Sequence, residues 1–202
     1  MSTPEIQALE KQIGELTTKL KELQIANEAD AEAVPNYTFE TEFGNVTLND
    51  LFGNKDTLFV IHNMGDGCRY CTIWADGING FLPHLETAMS VVLVSKNDPD
   101  TQRRFANSRG WRFNIASHRN CDYAKDHTTL GDYGNVPGAA VYVRKGDQIF
   151  KKNACLFGPG DVYCAMWHMF ALAGIKEDKW TPQFRYWSRP EKMEDGGQGV
   201  ID

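Results

Sequence analysis

Two cysteines separated by two residues, Cys68 and Cys71, are the side chains of this sequence whose type and spacing most directly imply chemistry. At a helix start, that spacing lets both sulfurs face each other within one turn, close enough to join in a small disulfide ring. The first sulfur then lies over the helix's unpaired N–H groups, whose partial positive charge favours thiolate over thiol. Cysteines so placed reach pKa values of about 3.5 to 7.5, against about 8.5 for a free one. Arg69 acts in the same direction, and Asp66, where it approaches the sulfur, acts against it. Cys68 is therefore expected as the nucleophile of a dithiol–disulfide exchange and Cys71 as the resolving thiol.

The flanking residues supply the elements that such chemistry needs. Leu58 to Ile61 is an apolar run short enough to be a buried strand, Met64-Gly65-Asp66-Gly67 is a flexible loop, and a helix carrying Ile73, Trp74 and Ala75 follows. His62, at the strand end, is a candidate proton shuttle for the exchange. The plainer reading is a histidine hydrogen-bonded at a sheet end. A metal at the cysteines would need more ligands, for which His62, His118, Cys121, Cys155 and Cys164 are the candidates, but no second C-x-x-C or paired histidine spacing supplies them. No metal and no cofactor is expected, and the alternative to redox turnover is a protein that binds a metal or a small apolar ligand. Trp74 reads as core, Cys164 as inert packing in an apolar helix, and Cys121, in a polar loop, as the remaining cysteine with most scope to react.

The chain has 202 residues, 42% of them hydrophobic, which fits one domain with extensions. Its net charge of -6 and pI near 5.4 argue against a nucleic-acid groove or a basic membrane-binding patch. No stretch approaches the ~18 apolar residues of a membrane span, and the N-terminus lacks the apolar core of a signal peptide, so a cytoplasmic location is expected. In a reducing compartment five cysteines do not form a disulfide framework. The expected partners are a protein or small-molecule disulfide substrate and an electron donor that the sequence does not identify.

Four segments follow. Residues 1–33 hold a helix whose Ile6, Leu9, Ile13, Leu16, Leu20 and Leu23 fall in steps of three and four, the pattern of a heptad seam, and a linker. That stripe is expected either to meet a second copy, giving a homodimer, or to lie on the body of the domain. Residues 34–176 form the globular domain. It begins with a hairpin turning at Gly44-Asn45 and continues through the Leu58 strand and the C-x-x-C helix, which Gly77, Gly80 and Pro83 are expected to kink or break. A buried strand over Ser90 to Ser95 leads to a helix capped by Asp98 and stopped by Gly110, then a short strand within Trp111 to Ala116. The polar stretch Ser117 to Asn135 is a candidate functional loop, and Pro137 precedes a hairpin turning at Gly146-Asp147. In the last helix, about Asp161 to Ala173, Val162, Met166, Met169 and Phe170 are expected against the sheet. Residues 177–190 form an aromatic tail, Trp180, Phe184, Tyr186 and Trp187, expected to dock, and residues 191–202 a disordered end.

This order, α/β with an N-terminal hairpin, a central mixed sheet and a heptad-patterned N-terminal helix, resembles the thioredoxin fold in its peroxiredoxin-like variant. The segments Cys68 to Gly77, Pro83-His84-Leu85, Ser108 to Phe113 and Val136-Pro137-Gly138 are similar to the thioredoxin-like family catalogued as domain of unknown function eight-nine-nine. The likeness implies that Pro137 faces the disulfide and that the Val136–Pro137 bond is cis; Val136, Pro137, Arg69 and Tyr70 are the expected substrate contacts, and the dipeptide Arg69-Tyr70 departs from the Gly-Pro of thioredoxin. His84 shares in the family-like segments without an evident mechanism. A peroxiredoxin-type site would place threonine three residues before its cysteine, and Gly65 stands there instead.

Overall fold

A computed structural model describes residues 3–30 and 32–183. Its centre is a seven-stranded mixed sheet in the order β2-β1-β5-β4-β3-β6-β7. The strands are β1 (Thr38–Thr41), β2 (Gly44–Thr47), β3 (Thr57–His62), β4 (Ser90–Ser95), β5 (Asn114–Ser117), β6 (Gly138–Lys145) and β7 (Gln148–Leu156). β3, β4 and β5 run parallel, joined by crossovers through α2 (Arg69–Leu85) and α3 (Pro99–Arg109). β6 then lies antiparallel on the other side of β3, with β7 antiparallel beyond it.

Both faces of the sheet are covered, which is why β3 and β4 read as continuous apolar runs. Ile61, Val91 and Leu93 face one core with Trp74, Ile78 and Leu82 of α2, Trp111, and Trp167 of α5 (Ala165–Leu172). Leu58, Val60, Val92 and Val94 face the other, with Phe39, Phe52, Tyr142 and Tyr123 of the short helix α4 (Tyr123–His127). Successive residues of β3 and β4 alternate between the two cores, so both strands contribute to each.

Local signals held at α3. Asp98 caps it by accepting from the Thr101 amide at 2.9 Å, and Gly110 ends it at φ 68. Elsewhere the structure differs from the expectation. The first hairpin turns at Glu42-Phe43, while Gly44 and Asn45 belong to β2 and pair with Thr41 and Glu40. α2 is unbroken from Arg69 to Leu85, with Gly77 and Gly80 inside it and Pro83 in its last turn. α5 begins at Ala165, after Val162; in it Trp167 is buried and Met166 and Phe170 pack partly buried against the core, whereas Met169 is exposed, as is Val162.

The Val136–Pro137 bond is trans, against the cis expectation. Both flanks are fixed in that form: the Val136 amide donates to the Thr128 carbonyl at 2.7 Å, and the Pro137 carbonyl accepts from the Phe157 amide at 3.0 Å. Trans is also the cheaper isomer of an X–Pro bond by about 0.5 to 1 kcal/mol.

The N-terminal helix α1 (Pro4–Ala26) has no buried residue, and its apolar stripe does not lie on the body. The helix is tied to the body from its last turn on: Asn153 donates to the Gln24 carbonyl at 3.1 Å, and Gln24 donates to the Tyr163 hydroxyl at 3.3 Å. Asn27 donates to the Lys152 carbonyl at 2.7 Å, and the Asp30 and Val34 amides donate to the carbonyls of Lys151 and Ile149, so the linker runs along β7. Of the aromatic tail, Trp180 packs edge-on against Trp167 and Phe170. Phe184, Tyr186, Trp187 and the expected disordered end lie outside the described residues. Among the described residues, no helix is long and apolar enough to cross a membrane.

Candidate functional site: the Cys68–Cys71 helix terminus

β3 ends at His62, and a six-residue loop carries the chain to the start of α2. Asn63 fixes its beginning, donating its amide to the Val94 carbonyl and accepting from the Gly65 amide at 2.8 Å. Gly65 has φ +121, and a Cβ there would stand 2.4 Å from Asn97 Oδ1. A side chain there would have to displace the Asn97 side chain and adopt a backbone conformation that L-residues rarely take. Asp66 is held away from the cysteines by Asn97, whose side chain accepts from the Asp66 amide and donates to its carboxylate at 2.8 Å. The Cys68 amide closes the loop on the Gly65 carbonyl at 3.0 Å.

Cys68 is the N-cap of α2, and its sulfur accepts from the Cys71 amide at 3.2 Å. A cap is where a side chain offers an acceptor to the unpaired amides of the first turn. The two sulfurs lie at bonding distance as a disulfide, with Cα atoms 5.4 Å apart. Cys68 is partly exposed, with its sulfur 4.0 Å from that of Met64, whereas Cys71 is buried at 4% exposure.

Of the other expected site residues, Tyr70 is exposed beside the disulfide and stacks on Trp167, and Arg69 is half-buried in the first turn. Val136 and Pro137 are half-buried at the entry to β6, and Asn135 just before them, at φ 57, donates to the Met64 carbonyl at 3.0 Å, tying that loop to the one before Cys68. The Val136 amide is already bonded to Thr128, so it does not offer the free N–H that an extended substrate would pair with. His84 is exposed in the last turn of α2.

His62 points into the core on the face opposite α2. Tyr142 donates to the Tyr123 hydroxyl at 3.2 Å, which leaves Tyr123 to donate to His62 Nε2 at 2.6 Å. Burial, reinforced by His127 and His118, pushes the His62 pKa down to about 3, so the ring is neutral. His127 Nε2 bonds the Tyr37 hydroxyl, which itself binds Asp126, and burial pushes its pKa down to about 4. Within Ser117 to Asn135, His118 and Tyr123 are buried and His127 is half-buried, while most of the stretch, Tyr133 included, is exposed. Cys121 belongs to that side as well. Its thiol donates to the His118 carbonyl, and burial raises its pKa, as burial also does for Cys155 and Cys164. Among the described residues, no group of three or more His, Cys, Asp or Glu side chains is arranged to hold a metal ion.

Two residues that the sequence reading passed over organise the site. Asp76 accepts from Trp111 Nε1 at 2.7 Å and pairs with Arg109, joining α2 to the end of α3. Asp161 accepts from Trp74 Nε1 at 2.9 Å and from the amides of Gly158, Tyr163 and Cys164, joining α2 to the approach to α5. The signal for the first was present: Trp74 and Asp76 stand in one family-like segment, and Arg109 and Trp111 in another.

Residues 6–191 match the family described as "Bacterial protein of unknown function (DUF899)". The chain belongs to this family. No curated protein matches it. The fold is that of the peroxiredoxin-like branch of the thioredoxin fold. A peroxiredoxin Q of Xanthomonas campestris superimposes with a TM-score of 0.52 at 16% identity over 73% of this chain and 97% of the other. The yeast mitochondrial 1-Cys peroxiredoxin does so with a TM-score of 0.52 at 13% identity, over 75% and 82%. The Xanthomonas campestris bacterioferritin comigratory protein gives 0.51 at 17% identity, over 73% and 95%. At such identities the likeness concerns the fold and leaves the chemistry to the site itself.

Proposed function

We propose that this DUF899 protein is a thiol–disulfide oxidoreductase that works through the Cys68–Cys71 pair as a homodimer. The observation that carries the reading is the division of labour at the start of α2: a partly exposed cysteine at the cap and a buried one a turn later. In the reduced protein the Cys71 amide and the helix terminus stabilise a Cys68 thiolate. That thiolate attacks one sulfur of a substrate disulfide, the other sulfur leaves as a thiol, and a mixed disulfide remains on Cys68. Cys71, shielded from outside disulfides, then attacks the Cys68 sulfur, which releases the second substrate thiol and forms the intramolecular disulfide. A thiol reductant restores the dithiol. His62 takes no part in this scheme, since its ring is occupied on the opposite face.

The alkyl peroxide reduction named for the Xanthomonas protein is not carried over. The threonine that a peroxiredoxin-type site would place three residues before the cysteine is absent, and Gly65 stands there at φ +121, a conformation strained for threonine. Trapping decides the assignment. Cys71→Ser incubated with a disulfide substrate should give a mixed disulfide at Cys68 by peptide mass spectrometry, and an adduct found only at Cys121 would overturn it.

A further inference from the structure

Beside the dithiol lies an open apolar cleft of about 780 Å³, within the size range of small-molecule sites. One wall is a single stripe of α2: Arg69, Thr72, Ile73, Asp76, Gly77 and Phe81. The other is formed by Met166, Met169 and Phe170 of α5, with Trp180 beyond it. The α2 wall begins in the turn that holds the cysteines, where the Thr72 hydroxyl donates to the Cys68 carbonyl at 3.1 Å. It ends twelve residues later at Phe81, about 18 Å along the axis at 1.5 Å per residue. The cleft is therefore elongated and mostly apolar, with Arg69, Asp76 and Arg109 among its lining, and one end reaches Arg69 and Thr72, the neighbours of the two cysteines. Phe81 and Met169 line it while 61% and 63% exposed. Methionines on a groove wall suit flexible aliphatic ligands, since the thioether side chain adapts its shape.

We infer that the cleft binds the aliphatic arm of a small organic disulfide and so directs its sulfur to Cys68. This rests on the exchange reading and adds the substrate class. With the arm in the cleft, the Cys68 thiolate attacks the arm-bearing sulfur and expels the other half as a thiol. Cys71 then attacks Cys68 and releases the arm as an alkanethiol. The dithiol gives up two electrons and two protons, and the substrate disulfide takes them up.

Pre-reduced protein is mixed with octyl pyridyl disulfide or methyl pyridyl disulfide below any micelle-forming concentration, and release of pyridinethione is followed. The octyl compound should react at least about tenfold faster at limiting concentration, the equivalent of burying about two methylenes. Phe81→Glu and Met169→Glu should each bring the octyl-to-methyl ratio towards one. Independently, octyl methyl sulfide, which cannot exchange, should give a saturable change in the fluorescence of Trp74 and Trp180 on the native chain. Equal rates for the two disulfides, or no saturable change with the sulfide, overturn the cleft assignment while leaving the exchange intact. Release that is absent with both disulfides, or that persists unchanged in Cys68→Ser, overturns the exchange reading itself.

Discussion

At the scale of single residues, burial decides which titratable groups are available for chemistry and which are not. The cysteine at the α2 cap meets solvent and a helix terminus; His62, His127 and His118 are enclosed and held neutral, each with its pKa lowered chiefly by desolvation. The sign of the consequence follows from linkage. A histidine whose folded pKa lies below its unfolded value of about 6.5 takes up its proton more readily in the unfolded chain, so its contribution is complete above that pH and declines as pH falls towards the folded value. For His62 the window runs from about 6.5 down to about 3 and for His127 down to about 4. Stability should therefore fall steadily as pH drops below 6.5, before most carboxylates begin to titrate. Each such histidine adds up to about 1.4 kcal/mol per pH unit to the slope. His62→Phe should be less stable at pH 7, having lost the bond to Tyr123, yet show a shallower slope between pH 4.5 and 6.5. Urea titrations across that range measure both, and an unchanged slope would mean that His62 is protonated in the native state.

At the scale of elements, α2 is positioned by two carboxylates, Asp76 and Asp161, each binding an indole N–H. Asp76→Asn keeps the size of the side chain but removes its charge from Arg109, whose side chain is only 15% exposed. Hydrogen bonds to charged groups contribute about 1.5 to 3 kcal/mol, so Asp76→Asn should lower unfolding stability by about 2 kcal/mol in chemical denaturation. The disulfide should still form in the variant, because the cap contact of Cys68 is local to the first turn. The elements themselves were legible where local chemistry determines them: α3 through Asp98, Pro99 and Gly110, β3 and β4 through apolar runs, and the C-x-x-C at a strand-to-helix loop. Tertiary packing decided the rest. The turn at Glu42-Phe43 goes with the pairing of β1 and β2, in which Thr41 meets Gly44, and the buried cluster around Tyr123 depends on bonds between residues far apart in sequence, such as His62 and Tyr123, that no local pattern reveals. The cis expectation at Pro137 came from the fold resemblance, and the bonds of Val136 to Thr128 and of Pro137 to Phe157 hold the trans form instead.

At the scale of the whole molecule, α1 is the part that a lone chain leaves unaccounted for. It spans 23 residues, about 35 Å at 1.5 Å per residue, and none of them is buried. Its seam residues Ile6, Leu9, Ile13, Leu16, Leu20 and Leu23 are between 44% and 68% exposed. The remaining expectation is a second copy. Fully burying an aliphatic side chain contributes about 1.5 to 3 kcal/mol, and six of them, even discounted for what the helix already covers, exceed the stability of most single contacts. Association entropy and the ordering of side chains offset much of that, so the dimer should dissociate on dilution. Ile6 and Ile13 at one seam position, with Leu9, Leu16 and Leu23 at the other, favour a parallel two-stranded pairing, which Leu20 and Gly14 weaken. Parallel pairing would place both globular bodies at the same end of the coil, each held to its helix by the bonds of Gln24 and Asn27 to β7 and Tyr163. Light scattering should report twice the chain mass for the full sequence and a single mass for a chain starting at Val34. Leu16→Glu, a charge at the middle of the seam, should shift the full sequence towards monomer without altering the disulfide. A monomeric full chain would remove the dimer, and a truncated chain that stayed dimeric would move the interface from α1 to the domain.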